Sequence, residues 1–166
     1  MSSEINGPCC RYHIEQERGV TGVTVTPLFA HIRVKNICDT DRVARQVEAL
    51  EIVANHDIII SFTKIHDEWI TFAIPQHQAG LCIKVLTEAG YNVNVSENLS
   101  LVTTTAGNMR ELWGVMSQIA DNLIAHNIST VEVGDSYANV RCLIPQDQAE
   151  LAGKVLRKHF GVEEGA

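Results

Sequence analysis

The chain has 166 residues, 45% of them hydrophobic and 20% charged, with a formal net charge of −7. That composition is globular, excludes a disordered chain, and suffices for one ordinary domain or two small ones. The acidic balance, scattered Lys and Arg and 5% aromatic content argue against a nucleic-acid partner, and no apolar run approaches the roughly 20 residues of a membrane span.

In chain order, residues 1–19 read as a tail whose start, Met1 to Gly7, is polar and has no signal-peptide core, which predicts a cytoplasmic setting. Val20 to Val25 is a strand-like stretch. Ala30, Ile32 and Val34 alternate with His31, Arg33 and Lys35, a half-buried strand. Asn36 to Thr40 is a loop, with Asp39 or Thr40 as helix N-cap, and Val43, Val47, Leu50 and Ala54 then fall at helical spacing. A strand over Ile58 to Ile65, a turn at His66-Asp67 and a strand over Trp69 to Ile74 follow. A second helix buries Ala79, Ile83 and Leu86, Gly90 ends it, and Tyr91 to Ser96 is a fourth strand. The order is βαββαβ, a ferredoxin-like pattern of the α+β class.

The pattern then repeats. Ile74-Pro75-Gln76-His77-Gln78-Ala79 recurs 70 residues later as Ile144-Pro145-Gln146-Asp147-Gln148-Ala149, and His56 matches His126 at the same spacing. Val43 and Val47 match Val115 and Ile119 at a spacing of 72, which predicts two extra residues in the first repeat. The second repeat opens with a strand over Leu101 to Thr105. Its helices bury Val115, Ile119 and Leu123, then Ala149, Ala152, Leu156 and Phe160, and strands near Ile128 to Val133 and Asn139 to Ile144 meet across Gly134-Asp135-Ser136. Residues 161–166 are too short and polar for a fourth strand, so Val20 to Val25 is expected to cross over and complete the second sheet. The expected units are residues 28–98, inserted within 20–26 plus 99–160, with tails at 1–19 and 161–166.

Val20-Thr21-Gly22-Val23, Ser100-Leu101-Val102-Thr103, Gly107-Asn108-Met109-Arg110 with Gly114-Val115, and Gly134-Asp135-Ser136-Tyr137-Ala138-Asn139-Val140 together resemble the paired ACT regulatory domains of aspartokinase, over about residues 19–160. The kinase domain is absent. The resemblance implies a non-catalytic amino-acid-binding regulatory module, lysine or threonine favoured, that acts on a partner or fused enzyme and pairs side by side as a homodimer. Two departures stand out: Asp41-Arg42 replaces the family's Pro-Gly before the first helix, and Trp113 replaces Pro in the second repeat.

An amino-acid site needs backbone N–H groups for the carboxylate, which a helix start supplies, and an acceptor for the ammonium. The first-repeat candidates are Asn36, Ile37, Cys38, Asp39, Thr40, Asp41, Arg42 and Val43, with Thr63 and Ile65 on the next strand by analogy. The second-repeat equivalents are Gly107, Asn108, Met109 and Gly114. Each set reads equally as a plain helix cap or connecting loop. The five cysteines, an odd number, read as free thiols, the seven histidines form no ligand-spaced pair, and no cofactor is expected. Competing readings are a ligand-free oligomerisation module, an acylphosphatase-like enzyme using Arg42, and an RNA-binding sheet using Trp69. The last two lack a glycine-rich anion cradle and a basic face.

Overall fold

The computed structural model describes residues 19–35, 41–107 and 112–163. The elements are β1 (Val20–Lys35), α1 (Arg42–Asn55), β2 (Phe62–Ile65), β3 (Ile70–Pro75), α2 (Ala79–Glu88), β4 (Asn92–Ala106), α3 (Val115–Ala125), β5 (Glu132–Asp135), β6 (Asn139–Pro145) and α4 (Gln146–Phe160). The strands form one antiparallel sheet in the order β2-β3-β1-β4-β6-β5. Among the described residues no helix is long and apolar enough to cross a membrane.

Two long strands run through the sheet. The stretches Val20 to Val25 and Ala30 to Val34 are both parts of β1, and the expected strand Tyr91 to Ser96, which starts at Asn92, is joined with Leu101 to Thr105 in β4. The two sheets expected from the sequence are therefore continuous, because an unbroken ladder leaves no backbone groups unpaired at a division. Val23, Thr24 and Val25 pair with Thr104, Thr103 and Val102, whereas Ile32 and Val34 pair with Val95 and Val93 on one side and with Phe72 and Ile70 on the other. The register shifts between Thr26 and Phe29. Leu28 (φ 63°) and Asn98 (φ 58°) stand there in left-handed backbone conformations, and a bulge of this kind bends both strands.

On either side of the bend sits its own core. Ala30, Ile32, Val34, Phe72 and Ile74 pack under Ala49 and Val53 of α1 and Cys82 and Leu86 of α2. Val23, Val102, Val140 and Ile144 pack under Ile119 and Leu123 of α3 and Ala152 and Leu156 of α4. Gly153 lets α4 come close, since a Cβ there would lie 2.7 Å from Val25 Cγ2. The faces without helices meet in a seam of Phe29, Ala73, Leu99, Leu101 and Leu143, with Phe62 packed against it.

The repeated Pro-Gln-x-Gln motif has a physical reason. Gln78 Oε1 accepts the Ile59 N–H at 3.0 Å and Gln148 Oε1 accepts the Ser129 N–H at 2.8 Å, so each start of a second helix ties down the loop after the first. His56 and His126 each donate Nδ1–H to the carbonyl four residues earlier, at 2.8 and 2.9 Å, and so finish their helices. Among the described residues no cluster of three metal-ligating side chains forms.

The first helix differs from its expected packing. Gln46, Ala49 and Val53 are buried, whereas Val43 is 72% exposed, Val47 48%, Ala54 is exposed and Leu50 half-buried. Polar anchors set this rotation. Gln46 Nε2 donates to the His66 carbonyl at 2.8 Å, and the Tyr91 hydroxyl lies 2.8 Å from both the Arg45 carbonyl and the Glu48 carboxylate. That hydroxyl bond, with Arg45 beside it, holds Glu48 below the ordinary carboxylate range. Ala49 and Val53 precede Ile119 and Leu123 by 70 residues, so the helices keep the spacing of the rest of the repeat and the two extra residues are not there. The N-cap is Asp41, without a side-chain cap bond, rather than Asp39 or Thr40. The strand expected from Ile58 is shorter, starting at Phe62, because Ile58 turns into the core.

Cys82 and Cys142 are free thiols, both buried. Burial pushes Cys82 up to about 12 and Cys142 up to about 11, from an ordinary value of 9.0, and burial with the Glu48 bond pushes the Tyr91 phenol up to about 12. A raised folded-state pKa gives stability that is fully present below the unfolded value and lost as pH rises through the folded one. Melting temperature should therefore hold steady up to pH 9 and fall between about 9 and 12. Replacing both cysteines by alanine should flatten the first part of that fall, read by calorimetry across the range.

Candidate functional site

The candidate residues divide between two helix starts. Asn36, Ile37, Cys38, Asp39 and Thr40, with Asn108 and Met109, lie outside the described residues. Asp41 is exposed at the N-cap of α1, and Arg42 opens the helix with Nη1 3.2 Å from Asp67 Oδ1 in the β2–β3 turn. Val43 points to solvent. Thr63 donates its hydroxyl to the Thr71 carbonyl at 3.0 Å, which spends it on the strand pair. Ile65 is 61% exposed and lines an open depression of about 580 Å³ along the β2–β3 turn, beside His66 to Trp69. Arg42 and Gln46 thus tie the start of α1 to that turn. Thr63 is not brought into it.

The second helix start is built differently. At the 70-residue spacing α3 begins three residues later than α1, at Val115, so the turn that Arg42 opens in the first unit has no helical counterpart. Gly114 takes the left-handed conformation (φ 75°) that bends the chain into the helix, a conformation glycine adopts without penalty. What remains is a pocket of about 630 Å³ between Gly114–Ser117 and the β5–β6 turn at Asp135, Ser136 and Tyr137. The Ser136 N–H donates to the Asn139 carbonyl at 2.8 Å, and the Ser136 hydroxyl lies 3.2 Å from the Asn139 nitrogen, which shapes that wall. The first N–H groups of a helix have no intrahelical partner, and at α3 they open into this space with a carboxylate opposite. Gly107 follows the end of β4 and is not among the pocket's lining residues.

Sequence reasoning picked Gly114 and passed over Asp135, Ser136, Tyr137 and Met116. The signal for the first three was present, since Gly134 to Val140 is one of the segments that resemble the regulatory family. Its role as the opposite wall shows only when hairpin and helix start are set side by side.

No protein-family model and no curated protein matches the chain. Solved structures do. The crystal structure of aspartokinase alpha and beta subunits is similar at 26% identity and a TM-score of 0.77, covering 86% of this chain and 99% of that one. The ligand-free regulatory subunit of aspartate kinase from Thermus thermophilus is 16% identical with a TM-score of 0.75, again over 86% and 99%. The aspartate kinase of Clostridium acetobutylicum, 20% identical with a TM-score of 0.78, matches 90% of this chain but 37% of its own. The chain has the tandem ACT fold of the aspartokinase regulatory region, and its 166 residues hold no kinase domain.

Proposed function

We propose that the chain is a non-catalytic regulatory module that binds an amino acid and passes the signal to a partner or fused enzyme. The observation that carries this reading is the open pocket at the start of α3, facing Asp135. A ligand carboxylate meets the N–H groups of Val115 to Ser117, and its ammonium meets Asp135. Lysine and threonine head the ligands by family resemblance. We also assign the two units as residues 28–98 and residues 20–26 plus 99–160, supported by the separate cores and by the bend at Leu28 and Asn98.

A thermal-shift screen of the amino acids tests this. A ligand at 100 times its dissociation constant should add about 2.7 kcal/mol of stability. Losing a charged hydrogen bond should cost on the order of 1.5–3 kcal/mol, so Asp135→Asn should weaken binding about ten- to a hundredfold. Asp39→Ala should then leave binding unchanged; the reverse outcome would move the site to the first loop. No shift with any amino acid at millimolar concentration would favour the ligand-free oligomerisation module.

The partner includes a second copy. Val43 and Val47, one turn apart on α1, and Ile65 on the edge strand β2 are exposed apolar side chains. Burying them against their own images gives the side-by-side dimer that the resemblance implies. Sedimentation at micromolar concentration should give twice the 18.3 kDa of the chain, and Val43→Asp with Val47→Asp should give the monomer. A wild-type monomer would defeat the dimer.

A further inference from the structure

We propose that His31 and Thr71, on strands of the first half, are positioning residues for the pocket of the second half, acting through Glu132. The proposal rests on the α3 pocket being the binding site. Its far wall, Asp135 to Tyr137, hangs from β5, a four-residue strand at the sheet's edge whose ladder runs to β6 alone. A short strand with one ladder neighbour is held weakly by its backbone, so side chains must fix where it lies.

Glu132, the first residue of β5, supplies that hold. Its Oε2 lies 2.5 Å from His31 Nε2 on β1, and its Oε1 accepts the Thr71 hydroxyl on β3 at 2.9 Å. The side chains of His31 and Glu132 are 7% and 12% exposed. Both carboxylate oxygens are thus engaged inside the seam, by residues 101 and 61 positions away.

The opposite edge shows what this hold adds. Phe62 of β2, 70 residues before Glu132, crosses the seam the other way and packs on the backbone of Gly134, where a Cβ would lie 2.6 Å from the ring. The two edge strands therefore reach across to each other's half, one with an apolar ring and one with a carboxylate. A ring on a flat backbone tolerates sliding. A buried carboxylate bonded at both oxygens does not, because charge-assisted bonds are directional and a broken one strands polar groups away from water. The position of the pocket wall is thereby set from the first half.

Amide hydrogen exchange on the full chain, without ligand, tests this. Thr71→Val and His31→Leu remove one bond each, far from the pocket. In each, the amides of β5 and of Ser136 should exchange about tenfold faster while those of α3 and α4 keep their rates. Glu132→Gln, which can still bond to both partners, should retain most of the protection. Wild-type rates at Ser136 in both variants would overturn the proposal. So would a uniform acceleration through the whole second half, the mark of a purely structural contact. If His31→Leu fails to fold, Thr71→Val alone decides between these outcomes. No amino acid is added, so this test stands or falls separately from the ligand screen.

Discussion

Glu132→Ala should destabilise the fold by about 2–6 kcal/mol, since each of the two buried groups left without its bond costs about 1–3 kcal/mol. The loss is large because the substitution leaves an imidazole and a hydroxyl in the seam with nothing to bond, while Arg141 Nη1 still holds the Ser61 carbonyl nearby. By contrast, Arg42 and Asp67, with side chains 39% and 93% exposed, form a surface pair worth about 0–1 kcal/mol. The repeat suggests the repair. At a spacing of 70, His31 corresponds to Leu101 and Glu132 to Phe62, so the same seam position is apolar on its other side. Well-packed apolar groups often replace a buried pair at no loss. The double variant His31→Leu with Glu132→Phe should therefore recover most of what Glu132→Ala loses, measured by denaturant unfolding. If Glu132→Ala shifts stability by less than about 1 kcal/mol, the clasp contributes no more than a surface pair and this account fails.

Much of the fold is readable from residues that lie near each other in sequence. The 70-residue motif around Gln78 and Gln148 exposes the repeat, and the stripes Val115-Ile119-Leu123 and Ala149-Ala152-Leu156 are buried as their spacing predicts. The first helix is different because periodicity sees only apolar side chains. Val43 and Val47 satisfy a helical stripe, yet the rotation is set by Gln46 and Tyr91, whose partners lie 20 and more residues away. The continuity of β1 and β4 hides at Leu28, which does not advertise left-handed backbone, and at Asn98, which favours it less strongly than glycine would. Glu132 carries no local signal at all. A single glutamate in a strand reads as solvent-facing until the sheet brings His31 and Thr71 to it. The pocket was half visible for the same reason: Gly114 marks one wall, while the other depends on where the hairpin is held.

Phe72→Ala and Leu156→Ala should each weaken the same single unfolding transition. Both side chains are fully buried, and such truncations cost about 3–5 kcal/mol for Phe and 2–5 kcal/mol for Leu. The two residues belong to cores that share no side chain, so two independent domains would report the losses separately. The strands argue otherwise. β1 and β4 pair along most of their length, from Val20 with Ala106 to Lys35 with Asn92, and each serves both cores. Unfolding either half would strip one side of those strands and open the seam at Phe29, Leu99, Leu101 and Leu143 to water. Amide exchange of α2 and α4 across a denaturant series should therefore give one shared midpoint in the wild type and in both variants. If Phe72→Ala lowers the midpoint of α2 and leaves that of α4 in place, the halves unfold on their own and the shared strands do not bind them into one cooperative unit.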